Sequence, residues 1–391
     1  MPVTEIVRIA ARGEGVTVDG RHAPFGVPGD TLNSDGTVTD GPHHQAPPCR
    51  HFPLCGGCQL QHADDSTYAD YLRDRITHAL QTQGLAIPEM RSVHLSPPRT
   101  RRRATFQAER RGRNIIIGFN ESASHRIVDL RECHVVLPEL FALVGPLRAL
   151  LGKIMADRSR AKLSMTRADQ GVDLLIEGVT VEGLEAVEAV TDFGRAQKLA
   201  RLSVDEGYGP SPRYVPEDVT ITLGGVPVAL PDSAFLQATA DGEAALVAAV
   251  REAIGEAQAT VDLFCGLGTF ALSLPGAVHA VEGARDAVLA LAATRRVTVE
   301  HRDLFRRPLD PAEFSRFEAV VLDPPRAGAR EQAVHLAAST VPWIAYVSCN
   351  PSSFARDATT LIAGGYKLDW ILPVGQFRWS THVELAAAFS R

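Results

Sequence analysis

The sequence lacks any long uncharged apolar segment. Its most apolar stretch, Leu140–Met155, is interrupted by Pro146, Arg148 and Lys153, which makes it too polar to span a bilayer. The first 15 residues also lack the apolar core that a secretory signal requires. We therefore expect a cytoplasmic protein that does not associate with membranes.

Lysine is scarce, since only 4 of the 40 basic residues are Lys, and the net charge is −6. This balance does not by itself indicate a nucleic-acid-binding protein. Arginine is nevertheless concentrated, because seven Arg and one acidic residue lie between Arg99 and Arg113. Guanidinium groups match phosphate oxygens. Arg101–Arg103 and Arg110–Arg113 are thus either a patch for RNA phosphates or a solvated strand face.

The length of 391 residues exceeds that of a typical single domain. Residues 1–48 show short strand and turn signals and a polar linker from Asp35. Residues 49–212 begin with a helical pattern over Asp65–Leu80 and continue as an α+β region. From Gly242, helices alternate with short apolar strands. The pattern predicts a doubly wound parallel sheet within residues 213–391, with ligands at the carboxyl ends of its strands.

The first strands of that sheet carry the pattern of a nucleoside-cofactor site. The segment Val261–Phe270 predicts a strand, a glycine-rich turn and a helix, and Gly266 lets the backbone approach a ligand closely. Glu282 ends the next strand, where a carboxylate can accept from both ribose hydroxyls. Asp303 follows the third strand and could meet an adenine edge. These positions fit S-adenosylmethionine at least as well as NAD.

The fourth and fifth strands favour a methyltransferase. The fourth ends in Asp323, two prolines and Arg326. Methylases of exocyclic amines usually carry an aromatic residue in place of this Arg, so amine methylation is disfavoured. Cys349 follows the fifth strand just before a predicted helix, whose N-terminus lowers a thiol pKa; a buried structural Cys is the alternative. Cys265, within the glycine turn, is interpreted as structural.

Glu384 lies in an otherwise apolar strand pattern near the C-terminus. A lone buried charge is costly, so this carboxylate is either paired or functional. Beside a nucleophile it is a candidate general base. His382 is either its hydrogen-bond partner or a surface residue, and we favour the latter.

Four segments together resemble the RNA uracil-5 methyltransferases: Asp262–Phe270, Asp323–Arg326, Ser348–Pro351 and His382–Glu384. The resemblance implies a Rossmann-like class I methyltransferase domain of α/β class, an α+β central domain, S-adenosylmethionine as cofactor and a uridine of 23S rRNA or tRNA as substrate. It assigns Cys349 as the nucleophile and Glu384 as the base. The resemblance also implies that five residues contact the cofactor or the uracil: Gln237, Phe264, Glu282, Asp303 and Asp323.

Four other cysteines, Cys49, Cys55, Cys58 and Cys133, indicate metal binding rather than disulfides in a cytoplasmic chain. Their thiolates fit either tetrahedral zinc or an iron–sulfur group. The family resemblance implies a 4Fe–4S cluster, as in the ribosomal RNA members, and thereby favours 23S rRNA.

The N-terminal segment departs from the family pattern. Ile6–Leu32 resembles the first strands of the five-stranded TRAM barrel, an OB-like module, and a polar run leads from it to Cys49. We therefore expect a reduced barrel and a monomeric enzyme. A tRNA enzyme of the same family and a catalytically inactive iron–sulfur RNA-binding protein are the alternatives. A DNA cytosine-5 methylase is disfavoured because its Pro-Cys and Glu-Asn-Val motifs are missing.

Overall fold

The computed structural model describes residues 3–391. These residues form a small N-terminal sheet, a six-stranded central sheet, a two-stranded hairpin and a nine-stranded catalytic sheet. Within the described range, no helix combines the length and apolar character needed to cross a bilayer.

The N-terminal sheet has five short strands in the order β3-β2-β1-β4-β5. All five strands are therefore present, and the barrel is reduced in strand length rather than in strand number. The predicted linker from Asp35 is wrong for Val38–Thr39, which pairs with β4. Side-chain hydrogen bonds from Asn33 to Thr37 and Thr39 hold this hairpin, so no apolar pattern marks it. The strands are β1 (Thr4–Ile9), β2 (Gly15–Thr17), β3 (His22–Ala23), β4 (Thr31–Leu32) and β5 (Val38–Thr39).

The helix predicted from Asp65 belongs to the catalytic sheet and not to the central one. Helix α1 (Asp65–Thr82) begins where the Asp64 side chain accepts from the backbone N–H of Thr67 at 2.7 Å, a common N-cap. Its apolar face packs against the helix Pro351–Ala363 and the strand Lys367–Gly375 and shares a core with residues such as Phe354 and Ile371. An amphipathic pattern predicts a helix but does not identify its partner. Strands β6 (Glu89–Met90) and β7 (His94–Leu95) then extend the same sheet.

The central sheet has the strand order β13-β12-β11-β10-β8-β9. Helices α3 and α4 cover one face, and the other face presents polar side chains such as Lys162 and Ser164 to a cleft. Strand β13 extends past the domain boundary predicted after residue 212. The elements are β8 (Arg103–Arg111), β9 (Asn114–Gly118), α2 (Pro138–Ala142), α3 (Val144–Ile154), β10 (Arg160–Ala168), β11 (Gly171–Glu177), α4 (Leu184–Ala196), β12 (Arg201–Asp205) and β13 (Pro210–Tyr214).

The catalytic sheet has the order β18-β17-β16-β19-β20-β22-β21-β6. Its first five strands are parallel and β22 is antiparallel to both neighbours, so the predicted doubly wound sheet is confirmed. The elements are β14 (Thr220–Leu223), β15 (Val226–Ala229), α5 (Ala240–Ile254), β16 (Ala259–Leu263), β17 (Ala277–Glu282), α6 (Arg285–Ala293), β18 (Thr298–His301), β19 (Ala319–Leu322), α7 (Arg330–Ala337), β20 (Trp343–Ser348), α8 (Pro351–Ala363), β21 (Lys367–Gly375) and β22 (Glu384–Ser390).

One local prediction fails after the glycine turn. The expected helix is a single 3₁₀ turn, Ala271–Ser273, and a second 3₁₀ turn covers Glu313–Arg316. The buried Asp262 carboxylate accepts from the Ala271 N–H at 2.9 Å and holds the short turn against β16. A helix dipole therefore contributes little at this turn.

A buried histidine joins the N-terminal sheet to the segment of residues 49–62, hereafter the cysteine segment. His62 is 1% exposed and packs against the rings of Phe25, Phe52 and His44 at centroid distances of 5.5–5.9 Å. Neither ring nitrogen has a hydrogen-bond partner among the described residues. Burial, reinforced by the charge of His44, lowers the pKa of His62 to about 4.

We predict that acid weakens this junction. The unfolded chain binds a proton on His62 near pH 6.5 and the folded chain only near pH 4. Stability is therefore complete above pH 6.5 and falls by up to about 3 kcal/mol as the pH approaches 4. His62→Phe should reduce the decline in thermal midpoint between pH 7.5 and pH 5, whereas His78→Phe, at an exposed site on α1, should not. An equal decline in wild type and His62→Phe would contradict this.

Candidate active site

A cleft of about 1300 Å³ lies between the central sheet, the cysteine segment and the carboxyl edge of the catalytic sheet. All site residues predicted from the sequence line this cleft. They are Cys349, Glu384, Gln237, Phe264, Gly266, Glu282, Asp303, Asp323, Cys49, Cys55, Cys58 and Cys133.

Glu282 organises the glycine turn at the first strand end. One carboxylate oxygen accepts from the Gly266 N–H at 2.9 Å, and the other accepts from the N–H groups of Gly283 and Ala284 at 2.7 Å each. Gly266 has φ +55°, and a Cβ placed there would meet no atom within 4 Å. The Glu282 carboxylate thus holds the turn on one side, and the space at the Gly266 Cβ position stays open, which fits a bound nucleoside cofactor.

Aromatic surface borders this turn. The rings of Phe264 and Phe305 lie 5.4 Å apart at 53°, and the Asp303 carboxylate accepts from the Phe305 N–H at 3.0 Å. A purine can pack on such rings. Phe305 was not predicted, because nothing in its sequence neighbourhood distinguishes it. Cys265 packs behind the turn with Ala280 and Leu291, in agreement with its structural interpretation.

A chain of buried amides holds Gln237 beside Asp323. The Gln237 amide donates to the Asp323 carboxylate at 3.2 Å and accepts from Gln376 at 2.8 Å. Gln376 in turn accepts from the backbone N–H of Ala238 at 2.8 Å. Gln376 is 1% exposed, so its bonds leave Gln237 a single orientation. Gln376 was not predicted, because it lies in no recognisable motif.

Cys349 and Glu384 meet at one edge of the sheet because β22 is antiparallel. Ser348 at the end of β20 pairs with Leu385 near the start of β22, so Glu384 begins its strand where β20 ends. The Asn350 side chain caps α8 by accepting from the Ser352 N–H at 3.1 Å. Helix, nucleophile candidate and carboxylate are therefore fixed relative to one another.

The cleft floor disfavours negative charge. Burial, and then the charge of Asp323, raises the pKa of Glu384 to about 8. Burial, and then the charge of Glu282, raises the pKa of Asp323 to about 7. Burial, followed by the charges of Glu384 and Asp323, raises the pKa of Cys349 to about 11. The expected lowering of the Cys349 pKa is wrong, since desolvation and two carboxylates outweigh the helix N-terminus.

The arginine-rich segment divides into structural and cleft-facing residues. Arg102 is buried and donates to the Gln237 carbonyl at 3.0 Å, and Arg110 donates to the Gly152 carbonyl at 2.9 Å. The interpretation as a phosphate patch is therefore wrong for these two. Arg101 and Arg103 line the cleft, and the Arg103 guanidinium stacks 4.8 Å from the Phe235 ring centroid.

The four N-terminal cysteines converge on the cleft wall with free thiols. Burial raises the pKa of the Cys55 thiol to about 11 and that of the Cys58 thiol to about 12, and the nearby cysteines, when ionised, raise both values further. No three His, Cys, Asp or Glu side chains of residues 3–391 are arranged to hold one metal ion.

Comparison with protein families and relatives agrees with this architecture. The family model described as tRNA (Uracil-5-)-methyltransferase matches residues 286–391. An uncharacterised RNA methyltransferase of Zymomonas mobilis is 50% identical over 394 residues, spanning 99% of each chain. The 23S rRNA (uracil(1939)-C(5))-methyltransferase RlmD of Halomonas elongata is 33% identical over 373 residues, which cover 87% of this chain and 75% of that relative.

A solved structure shares the whole fold. The tRNA (uracil-54, C5)-methyltransferase of Pyrococcus abyssi, in complex with S-adenosyl-L-homocysteine, superposes with a TM-score of 0.75. The match covers 99% of this chain and 100% of that one at 22% identity. It confirms the class I methyltransferase fold with a separate N-terminal β sheet.

We predict that Glu282→Gln weakens binding of S-adenosyl-L-homocysteine by about tenfold or more, because an amide nitrogen cannot accept from the backbone N–H groups of the turn. Isothermal titration calorimetry measures this. Glu300→Gln is the matched control, since Glu300 pairs with His279 and Arg302 outside the cleft. Equal affinities of wild type and Glu282→Gln would show that Glu282 does not organise the cofactor site.

Proposed function

Because this chain belongs to the RNA uracil-5 methyltransferase family and is an S-adenosylmethionine-dependent RNA methyltransferase, we propose that it methylates a uridine of 23S rRNA through a covalent adduct with Cys349. One observation carries the proposal. The antiparallel β22 brings a buried carboxylate, Glu384, to the cleft wall that also holds the Cys349 thiol.

The uracil ring needs activation because its C5 is a weak nucleophile. When bound, S-adenosylmethionine supplies an electrophilic methyl group. The Cys349 thiol loses its proton to an ionised carboxylate of the cleft and adds to C6, so a C–S bond forms and the ring electrons shift towards the C4 oxygen as an enolate. C5 thereby becomes nucleophilic enough to accept the methyl group.

Glu384 completes the reaction by removing the C5 proton. The C5–C6 double bond re-forms and the Cys349 thiolate leaves. The thiolate takes back its proton from the carboxyl group that accepted it, and Glu384 releases the C5 proton to solvent, which restores the free enzyme. A carboxylate with a pKa of about 8 is a stronger base than an ordinary Glu. Gln376 lies within hydrogen-bonding reach and favours its ionised form, so the buried carboxylate can still ionise near neutral pH.

Two observations support the RNA target. The relative from Halomonas elongata acts on 23S rRNA, and the four convergent cysteines resemble the ligand set of the ribosomal RNA members. A tRNA target is the alternative within the same family. The intact Cys349, Glu384 and Asp323 in one cleft argue against an inactive RNA-binding protein.

We predict that two substitutions stop the reaction at different steps. Cys349→Ala removes the attack on C6, so neither methyl transfer nor an adduct should form. Glu384→Gln leaves the attack and the transfer possible but removes the base, so a methyl-labelled protein–RNA adduct should accumulate while turnover falls about 10²–10⁴-fold. Denaturing gels with labelled cofactor and transcripts of 23S rRNA and tRNA measure both effects at early times.

The transcript that forms the adduct identifies the RNA class, and we expect 23S rRNA. Glu331→Gln, at an exposed position on α7, is the control and should turn over as the wild type does. Methylation by Cys349→Ala would refute the covalent step. Wild-type turnover by Glu384→Gln would remove Glu384 from the role of base.

We also propose that Cys49, Cys55, Cys58 and Cys133 hold a 4Fe–4S cluster. The support is their convergence as free thiols on one wall of the cleft. All four side chains lie on segments that pack beside the active-site residues, so a cluster there would stabilise the cleft wall.

We predict that anaerobically purified protein is brown and contains about four iron atoms per chain. Cys133→Ser should lose most of the iron and the visible absorption, whereas Cys349→Ser, in the same cleft but outside the proposed ligand set, should keep both. Iron analysis and absorption spectra measure this without reference to activity. Colourless wild-type protein, or iron unaffected by Cys133→Ser, would contradict the cluster.

A further inference from the structure

The rim of the cleft differs in charge from its floor. The floor carries the carboxyl groups of Glu282, Asp323 and Glu384, whereas Arg326 and His382 are exposed at the edge of the same cleft. An uncharged base suits a floor on which burial raises the pKa of Asp323 and of Glu384, and an anionic oxygen suits a cationic rim. The two zones therefore match the two parts of a nucleotide.

Arg326 is a cation without a carboxylate partner. Among the described residues, its guanidinium hydrogen-bonds only to His382, at 2.9 Å, and forms no ion pair. Arg101 and Arg103 also line the cleft, but both donate to backbone carbonyls, Arg101 to that of Arg103 at 3.0 Å and Arg103 to that of Leu236 at 2.8 Å. The remaining donors of Arg326 are thus available to a ligand.

The bond between Arg326 and His382 fixes the histidine tautomer. A guanidinium can only donate, so the Nδ1 atom of His382 must accept and the ring proton must lie on Nε2. Partial desolvation of the ring at the cleft edge, followed by the charges of Arg326 and Arg101, lowers the pKa of His382, which favours the neutral ring. The Phe377 ring, 5.4 Å away, packs against it. His382 therefore offers one fixed N–H donor next to a free cation.

The pair is also tied to the nucleophile. The Arg326 carbonyl accepts from the Asn350 amide at 2.9 Å and from the Ser353 hydroxyl at 3.0 Å. Both residues belong to the turn and helix that follow Cys349. A group bound by the pair is consequently held at a fixed position relative to the thiol.

We propose that Arg326 and the Nε2–H of His382 together bind a backbone phosphate of the RNA next to the target uridine. The inference rests on the proposed function, because it requires an RNA nucleotide with its base inserted towards Cys349. It assigns His382 a substrate contact, in contrast to the surface role expected from the sequence. Clamping the phosphate at the rim would orient the base that enters the floor.

The test measures methylation by each variant with the same substrate, total RNA from a strain that lacks the gene. This RNA contains the unmodified target, whether the target is 23S rRNA or tRNA. Arg326→Gln should raise the apparent KM for RNA about tenfold and reduce the slope of log(kcat/KM) against log[salt] by about 1. Arg330→Gln is the matched control, since Arg330 is exposed on α7 outside the cleft. It should leave KM and slope unchanged.

Two histidine variants separate a ligand contact from a structural role. The amide of Gln can replace the Nε2–H donor, whereas the amide of Asn replaces only the Nδ1 acceptor. His382→Gln should therefore keep the apparent KM for RNA within about threefold of the wild-type value. His382→Asn should raise the apparent KM further than His382→Gln does. Equal effects of the two variants would overturn the assignment of the Nε2 donor.

The charge of Arg326 also favours the Cys349 thiolate, so Arg326→Gln lowers kcat whichever group Arg326 binds. The salt slope therefore decides whether Arg326 contacts a phosphate oxygen or the enolate oxygen of the uracil. A lower kcat with an unchanged KM and an unchanged salt slope would place the contact on the enolate oxygen and overturn the phosphate. If the wild-type enzyme transfers no methyl group to this RNA, the proposed function fails and the inference falls with it.

Discussion

The antiparallel insertion of β22 between β20 and β21 is the constraint on which the site depends. At the carboxyl edge of a parallel sheet every strand ends, so only a strand of opposite direction can begin there. β22 begins with Glu384, paired with Val374 on one side and next to the pair Leu385–Ser348 on the other. The same reversal places the loop of residues 376–383, with Gln376 and His382, over the ends of β19 and β20. Acid, amide and histidine thus reach Cys349 from one short stretch of chain.

The electrostatics of the cleft follow from this crowding. Three carboxyl groups share one floor, and burial with mutual repulsion raises the pKa of Asp323 to about 7 and that of Glu384 to about 8. Only about a tenth of Glu384 is ionised at pH 7. A floor on which Glu384 is mostly protonated costs less to desolvate when a base enters than one with an ionised Glu384 would. The same repulsion keeps the Cys349 thiol protonated at rest, which protects it from unselective reaction until a substrate is in place.

The sequence predicted those parts of the site whose side chains follow apolar strands. Asp323 and Cys349 could be placed because strand ends in a parallel sheet share an edge, and Glu384 stood out as a carboxylate within an apolar strand pattern. Gln376 could not, since its role depends on meeting Gln237 across 139 positions of the chain. The high pKa of Cys349 was equally inaccessible, because it depends on which carboxylates fold against the thiol. Helix α1 was recognised and grouped with residues 49–212, but its packing against the catalytic sheet was not predicted, as an apolar face does not specify what covers it.

The cysteine segment is linked to the chemistry by backbone contacts rather than by distance along the chain. The N–H groups of Gln59 and Leu60 both donate to the Trp379 carbonyl, at 2.8 and 2.9 Å. The Tyr68 hydroxyl lies 3.0 Å from the Phe377 carbonyl and 3.1 Å from that of Ser380. The loop of residues 376–383 has no regular secondary structure of its own, so these bonds supply its order. Any group that rigidifies residues 49–62 therefore also fixes the loop that carries His382 and leads into Glu384, which gives the N-terminal half of the chain a direct structural part in catalysis.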